Sequence, residues 1–429
     1  MIWDIVYQIS EKFYRVDSES KQLDLTVQHG TDYLRIQNHI DRVFAEYHCS
    51  PSVAACDLLA IALTVYSADK LALRKQAYNG WERGLNLHVP VTQLTSWQIA
   101  TTQLEQTLYF LTDDRWRFHF RPNDITSNNV ETQMSLFPQY SAVALLSGGL
   151  DSFIGAIDLL EKHDNRIAFV SHHAHSGNPS TEQTAVYSVL QRTYSTQAEP
   201  FRFYIQSPKL PEQGAESTSR SRSFLFLSLA VAVASALSVK KVYICENGYM
   251  TLNVPMTRSR IGSHSTRTTH PYFIKSFQEL VSRVGLDVEI MNPYAFLTKG
   301  EMLQTCLNPQ VLQEGLLQTR SCSRSHTIRF AKESPHAHCG YCLPCLVRNA
   351  ATRSARLNDV SYLRTEKLKR AQIKDIWALK LLLKRLADND LDITQQLAKC
   401  GKIPDSYEKY ADVYERGLQE LNLLRGEVL

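Results

Sequence analysis

The chain has 429 residues, of which 44% are hydrophobic and 21% charged, with a formal net charge of +4. That is an ordinary globular composition, long enough for two or three domains, and its weak charge neither demands nor excludes nucleic acid. No stretch approaches the ~20 apolar residues of a membrane span, and the longest apolar run, Phe224–Leu237, suits one buried helix. The N-terminus, Met1-Ile-Trp-Asp-Ile-Val, lacks a basic n-region, so no secretory signal is expected. Nine cysteines, an odd count, do not make a disulfide scaffold at this length, and a reducing cytoplasm is the expected location.

Residues 1–138 read as an accessory α+β domain. Strands are expected at Ile2–Ile9 and Leu23–Val27, joined through a hairpin loop at Ser18–Gln22. Apolar residues at helical spacing predict helices over Val53–Leu73 and Trp97–Leu111. Strict alternation predicts a half-buried strand at Trp116–Phe120. No catalytic constellation is visible here; His119 and Cys56 read as ordinary surface and core residues, and partner docking or substrate gating is the natural role. Arg121–Gln139, rich in Pro, Asn, Asp and Ser, reads as a linker.

The stretch that organises the chain is Ser141–Ser152. A short apolar run ending at Leu146 suits one buried strand, and Phe153, Ile154, Ala156, Ile157 and Leu160 begin a helix. Between them lie Ser147, Gly148, Gly149, Leu150, Asp151 and Ser152, the sequence SGGLDS. The glycines allow a sharp turn, and the free amides and dipole of a helix N-terminus attract an anion. A plain strand-to-helix turn is the rival reading. No G-x-x-x-x-G-K-[ST] occurs, which disfavours a γ-phosphate-transferring NTPase.

Residues 139–350 read as an α/β domain with a parallel five-stranded sheet and helices on both faces. The expected strands are Val143–Leu146, Ile167–Ser171, Phe201–Ile205, Val242–Cys245 and Val288–Met291; helices fall at Phe153–Glu161, Glu182–Arg192 and Phe224–Leu237. Ligands bind beyond the C-terminal strand ends of such sheets, where several polar clusters fall. His172 and His173, with His175 beyond, read as nucleotide or substrate contacts, since their spacing suits no known zinc pair. Arg220 and Arg222, entering the helix at Phe224, are candidates for neutralising phosphate. Asn247 follows a strand directly, and Lys299 lies further on. The polar segment 257–270 would suit phosphates or a carboxylate-bearing polypeptide.

Cys322, Cys339, Cys342 and Cys345 form C-x16-C-x2-C-x2-C. Two-residue spacings let thiolates converge, and four of them match a structural tetrahedral Zn²⁺ site. The rivals are an iron–sulfur cluster, disulfides, or His336 or His338 in place of Cys322. Residues 351–429 read as a helical extension, where Ile376, Leu379, Leu382, Leu383 and Leu386 share one face amid Lys374, Lys380, Lys384 and Arg385. A docked surface helix is favoured there over one that binds nucleic acid or membrane.

SGGLDS resembles the pyrophosphatase-loop motif of the ATP α-hydrolases, which cleave ATP between its α- and β-phosphates. Together with Arg222–Ser228, Thr298–Met302, Thr319–Cys322 and Cys339–Arg348, it resembles the 7-cyano-7-deazaguanine synthase (QueC) family, over about residues 141–350. Ser223 stands where the family has Asn, the interval from Cys322 to Cys339 is longer than usual, and His172-His173-Ala174 replaces the family's Tyr-Gly-Gln. The added N- and C-terminal parts resemble the QueC-like proteins (QatC) of the Qat anti-phage system.

The resemblance implies ATP-dependent adenylation of a 7-deazaguanine-type carboxylate, with ammonia or an amine of a partner protein from the same defence operon as acceptor. It implies ATP, Mg²⁺ and Zn²⁺, with Ser147–Ser152 holding the pyrophosphate and Asp151 the Mg²⁺. Ser147, Asp151 and Arg222 would be catalytic, and Arg220 and Lys299 would neutralise phosphate charge. A tRNA-modifying sulfurase or ligase of the same superfamily and a non-catalytic nucleotide-binding scaffold are the alternatives.

Overall fold

Two sheets, each built mainly of parallel strands, pack through a shared helical layer. They are seen in a computed structural model of the chain. It describes residues 2–8, 16, 21–27, 34–123, 139–174, 178–210, 214–216, 220–256, 267–323, 338–359, 362 and 374–428. In chain order the first elements are β1 (Ile2–Gln8), β2 (Lys21–Thr26), β3 (Leu34–Arg35), β4 (Gln37–Asn38), α1 (Ile40–Glu46), α2 (Val53–Leu71), β5 (Gly84–Val91), α3 (Leu94–Thr112) and β6 (Arg115–Pro122). Then come β7 (Tyr140–Leu145), α4 (Leu150–Lys162), β8 (Arg166–His173), α5 (Asn178–Thr193), β9 (Ala198–Gln206), α6 (Arg222–Ala236), β10 (Lys241–Tyr243), α7 (Gly248–Leu252), α8 (Pro271–Arg283), β11 (Glu289–Met291), α9 (Lys299–Thr305) and α10 (Pro309–Leu316). The last helices used below are α11 (Leu343–Ser354), α12 (Lys374–Ala387), α13 (Ile393–Ala398) and α14 (Tyr407–Asn422).

The first sheet has the order β3-β2-β1-β5-β6, with every pair parallel. This corrects the expected hairpin: β1 and β2 run side by side, Trp3 opposite Lys21 and Gln8 opposite Thr26. A tight reversal cannot join parallel strands, which need a crossover. The second sheet has the order β11-β10-β7-β8-β9-β4. Its first five strands are parallel, as expected from their apolar runs, and β4 adds an antiparallel edge through Gln37 and Asn38 opposite Gln206 and Ile205.

α2 lies between the sheets. Ser52 caps it by accepting from the Ala55 amide. Its Leu58, Ile61 and Val65 share one continuous core with Ile5 and Leu87 of the first sheet and with Leu229, Val233 and Phe203 of the second domain. A helix sandwiched in this way is apolar all round, as α2 and α6 are. Each fully buried Leu, Ile or Val of this layer contributes roughly 1.5–3 kcal/mol.

A second core lies on the other face of the β7–β8 region, with Phe153, Ile157, Phe169 and Leu190. The C-terminal helices form a third. Leu379, Leu382 and Leu383 of α12 pack with Val413, Tyr414 and Leu418 of α14 and with Val347 of α11, as a docked helix should. Trp377 and Leu381 of α12 face outward. Among the described residues, no helix is long and apolar enough to cross a membrane.

Candidate functional site

The loop between β7 and α4 is held open by its own side chains. Ser147 Oγ accepts from the Gly149 amide at 3.3 Å, and Ser152 Oγ donates to Gly149 O at 2.9 Å. The two hydroxyl oxygens are 3.1 Å apart, and Ser152 Oγ also accepts from the Ser147 amide at 3.3 Å. The first intrahelical bond of α4 is Phe153 N–H to Gly149 O, so the amides of Leu150, Asp151 and Ser152 stand ahead of the ladder. Such amides, with the helix dipole behind them, suit an anion. Gly148 has φ +84°, and a Cβ there would lie 3.1 Å from the Gln183 amide nitrogen. Both the left-handed turn and the close approach therefore require glycine.

Asp151, in the first turn of α4, sits in a buried polar cluster. Its Oδ1 lies 2.5 Å from Lys299 Nζ, and both side chains are buried. Its Oδ2 accepts from the Asn247 amide at 3.1 Å and from Asn247 Nδ2 at 2.6 Å. Asn247 also caps α7, its Oδ1 accepting from the Met250 amide at 3.0 Å. Burial alone would raise the Asp151 carboxyl; the Lys299 ammonium, with hydrogen bonds from Glu246, Lys299 and Asn247, outweighs it and holds the group low. Glu246 shifts the opposite way, well above its ordinary value, through burial and the Asp151 charge. Carboxylate oxygens are donors that a hard divalent cation takes, so Asp151 and Glu246 fit Mg²⁺, whereas Asn247 turns its Nδ2 to Asp151 and its Oδ1 to the Met250 amide.

Lys299 is delivered by the start of α9. Thr298 and Glu301 form a reciprocal capping box there. From the C-terminal extension, Glu420 of α14 accepts from Thr298 Oγ1 and, at 3.0 Å, from the Gly300 amide. The sequence carried no local signal for Glu420.

On the β8 side, His172 is fully buried. Its Nε2 faces Ile205 O at 3.2 Å, and its Nδ1 faces Arg222 Nε at 3.2 Å. Arg222 can only donate, so His172 carries its proton on Nε2. Burial, then the Arg222 charge, pushes His172 down to about 3. Arg222 Nη2 also donates to His172 O at 3.0 Å. His173, half-buried at the end of β8, has its ring 5.7 Å from Tyr204; burial, then Arg202, lowers it.

Arg220 goes elsewhere. It pairs with Asp113 at 3.1 Å and lies 4.7 Å over the Trp81 ring, in the N-terminal domain. The structure therefore brings Asp151, Asn247 and Lys299 together and joins His172 to Arg222, while Arg220 braces the first domain. His175, Ser217–Ser219, His336 and residues 257–266 lie outside the described residues.

The segment Thr319–Cys322 runs along the loop. The Arg320 amide donates to Gly148 O at 2.9 Å, and Arg320 Nε pairs with Glu182 Oε1 at 2.5 Å. Beyond it, Cys322, Cys339, Cys342 and Cys345 are all buried, with their sulfurs within 4.8 Å of one another. Zinc–sulfur bonds of ~2.3 Å at tetrahedral angles put sulfurs about 3.8 Å apart; Cys339 and Cys345 are 3.8 Å apart, Cys342 and Cys345 3.3 Å. None of the four is in a disulfide, so the group can hold one metal ion. His338, also buried, stands outside this set, in a bridge with Tyr362.

Arg348, fully buried on α11, ties this knuckle to the loop segment. It donates to Thr319 O at 3.1 Å, Thr319 Oγ1 at 2.8 Å and Leu316 O at 2.8 Å, and pairs with Asp359 at 2.8 Å. The sequence did not disclose the spatial roles of Arg320 and Arg348, nor the pairing of Glu246 with Asp151.

Residues 205–356 match the family model described as queuosine biosynthesis protein QueC. The match covers just over a third of the chain. It includes Arg222, Asn247, Lys299, the four cysteines and Arg348, and it begins after the SGGLDS loop. No curated protein matches the chain.

Proposed function

We propose that the chain is an ATP-dependent, AMP-forming enzyme of QueC type that adenylates the carboxylate of a 7-deazaguanine-type base. The observation that carries this reading is the buried cluster of Asp151, from the SGGLDS loop, with Asn247 and Lys299, both within the QueC match. In the first step a carboxylate oxygen attacks the α-phosphorus and pyrophosphate leaves. The amides of Leu150–Ser152 and the hydroxyls of Ser147 and Ser152 receive the departing pyrophosphate, and Arg222 offsets its charge. Mg²⁺, when held by Asp151 and Glu246, would neutralise phosphate charge. An amine then attacks the acyl carbon, AMP leaves, and the amine's proton passes to solvent. Zn²⁺ in the four-cysteine site is structural on this reading, because all four ligand positions are filled by protein.

The acceptor is ammonia or an amine of a partner protein, and the setting is anti-phage defence, as in the QatC-like proteins. This finer reading is supported by the large parts added on both sides of the nucleotide domain. Incubation with ATP and 7-carboxy-7-deazaguanine should release AMP and pyrophosphate, measured by chromatography; ADP as the sole product would overturn the reading. Mass spectrometry of co-expressed neighbouring proteins should show a base-sized adduct that disappears with Asp151→Ala.

A further inference from the structure

The N-terminus of α6 is satisfied from another domain. Its first residues are Ser221 and Arg222, and Ser221 makes no side-chain cap within its own helix. Instead, Asp69 of α2 accepts from both the Ser221 amide at 3.0 Å and Ser221 Oγ at 2.8 Å, through one oxygen, Oδ2. The other oxygen, Oδ1, pairs with Arg83 at 2.6 Å, and Arg83 is fixed in turn by Asp114 at 2.5 Å. Burial alone would raise the Asp69 carboxyl; Arg83 and the Ser221 donors outweigh it and keep the group ionised.

The same turn of α2 holds the chain leading into α6. Lys70 Nζ donates to Glu216 O at 2.9 Å, the Glu216 amide donates to Lys70 O at 2.8 Å, and Glu216 accepts from the Arg74 amide at 3.0 Å. One turn earlier, Tyr66 sets its ring edge-on to His172 at 5.7 Å. Thus α2 touches both members of the Arg222–His172 pair: Asp69 fixes the helix end that carries Arg222, and Tyr66 backs the imidazole that receives it. A carboxylate already occupying that helix end also leaves the Arg222 side chain, rather than the α6 dipole, as the positive element there.

We propose that Asp69 is a positioning residue for Arg222, so that the first domain is part of the nucleotide site and not an appendage to it. The proposal rests on the reading of Arg222 as a phosphate ligand. Losing a bond to Asp69 loosens the first turn, so Ser221→Ala and Asp69→Asn should each raise the KM for ATP about tenfold with the smaller change in kcat. Ser221→Ala leaves the Asp69–Arg83 pair intact, which separates the effect from misfolding. Each change combined with Arg222→Ala should cost no more than Arg222→Ala alone, since both act through one group. Additive losses would overturn the proposal.

Amide hydrogen exchange decides the matter even where ATP is not the ligand. In Ser221→Ala, exchange at residues 222–225 should quicken about tenfold while residues 58–65 of α2 stay as in the unaltered protein. Unchanged exchange at 222–225 would overturn the proposal; absence of ATP binding to the unaltered protein would overturn the proposed function alone.

Discussion

Lys299 Nζ lies 2.5 Å from Asp151 Oδ1, with both side chains buried and 147 residues of sequence between them. Asp151→Asn leaves the lysine charge without its partner, and Lys299→Met leaves Asp151 and Glu246 facing each other. Each single change should cost about 3–5 kcal/mol, and the pair of changes together should cost less than their sum. Denaturant unfolding of the three variants checks this. Asp151→Asn should also lower AMP formation by roughly a hundredfold or more, measured on the folded fraction.

Metal removal should act at a distance. The four-cysteine cluster is connected to the SGGLDS loop through Arg348, Thr319 and Arg320, so loss of the ion frees the segment lying against Gly148. Metal analysis of the purified protein should find one zinc ion per chain. Chelation or Cys342→Ser should lower Tm, and ATP affinity should fall with it.

Arg348 is the mechanical link in that path. Arg348→Met removes three donations to Leu316 and Thr319 and the ion pair to Asp359 at once. The expected cost is about 3–5 kcal/mol. Arg348→Lys should recover only part of it, because one ammonium cannot reach groups arranged for a fork. Thermal unfolding of both variants gives the comparison.

Acid should destabilise the protein through His172 and His270, both fully buried and both pushed down to about 3, first by burial and then by an adjacent arginine. The unfolded chain takes up these protons near the ordinary histidine value of about 6.5, and the fold does not. Their contribution is therefore complete above that pH and falls as pH drops toward about 3. The expected slope is about 1.4 kcal/mol per pH unit for each histidine. His172→Gln should flatten the profile of unfolding free energy between pH 6 and 4, roughly halving that two-histidine slope.

What could be read from residues alone follows from how local each signal is. The five parallel strands of the second sheet, the helices α2, α4 and α6, the SGGLDS turn and the cysteine knuckle are all written in adjacent residues or short periods. The pairing of β1 with β2 was misread because the polar run Ser18–Gln22 fits a hairpin loop as readily as part of a crossover. Arg220 and Arg222 looked alike in sequence, yet one pairs with Asp113 and the other with His172. Only the third dimension separates them, since successive residues at a helix start point in different directions. Glu246, Arg320 and Glu420 depend on partners far along the chain, and no spacing rule connects them.

A single residue, Ile36, separates β3 of the first sheet from β4 of the second; it is fully buried, and its amide donates to Thr26 O at 2.7 Å. Excising the N-terminal region would bare the outer edge of β9, whose unpaired backbone is then a template for self-association. Segments beginning near residue 139 should accordingly aggregate rather than refold, and the intact chain should fold slowly in a joint transition, because residue 38 must find residue 205 before the second sheet is complete.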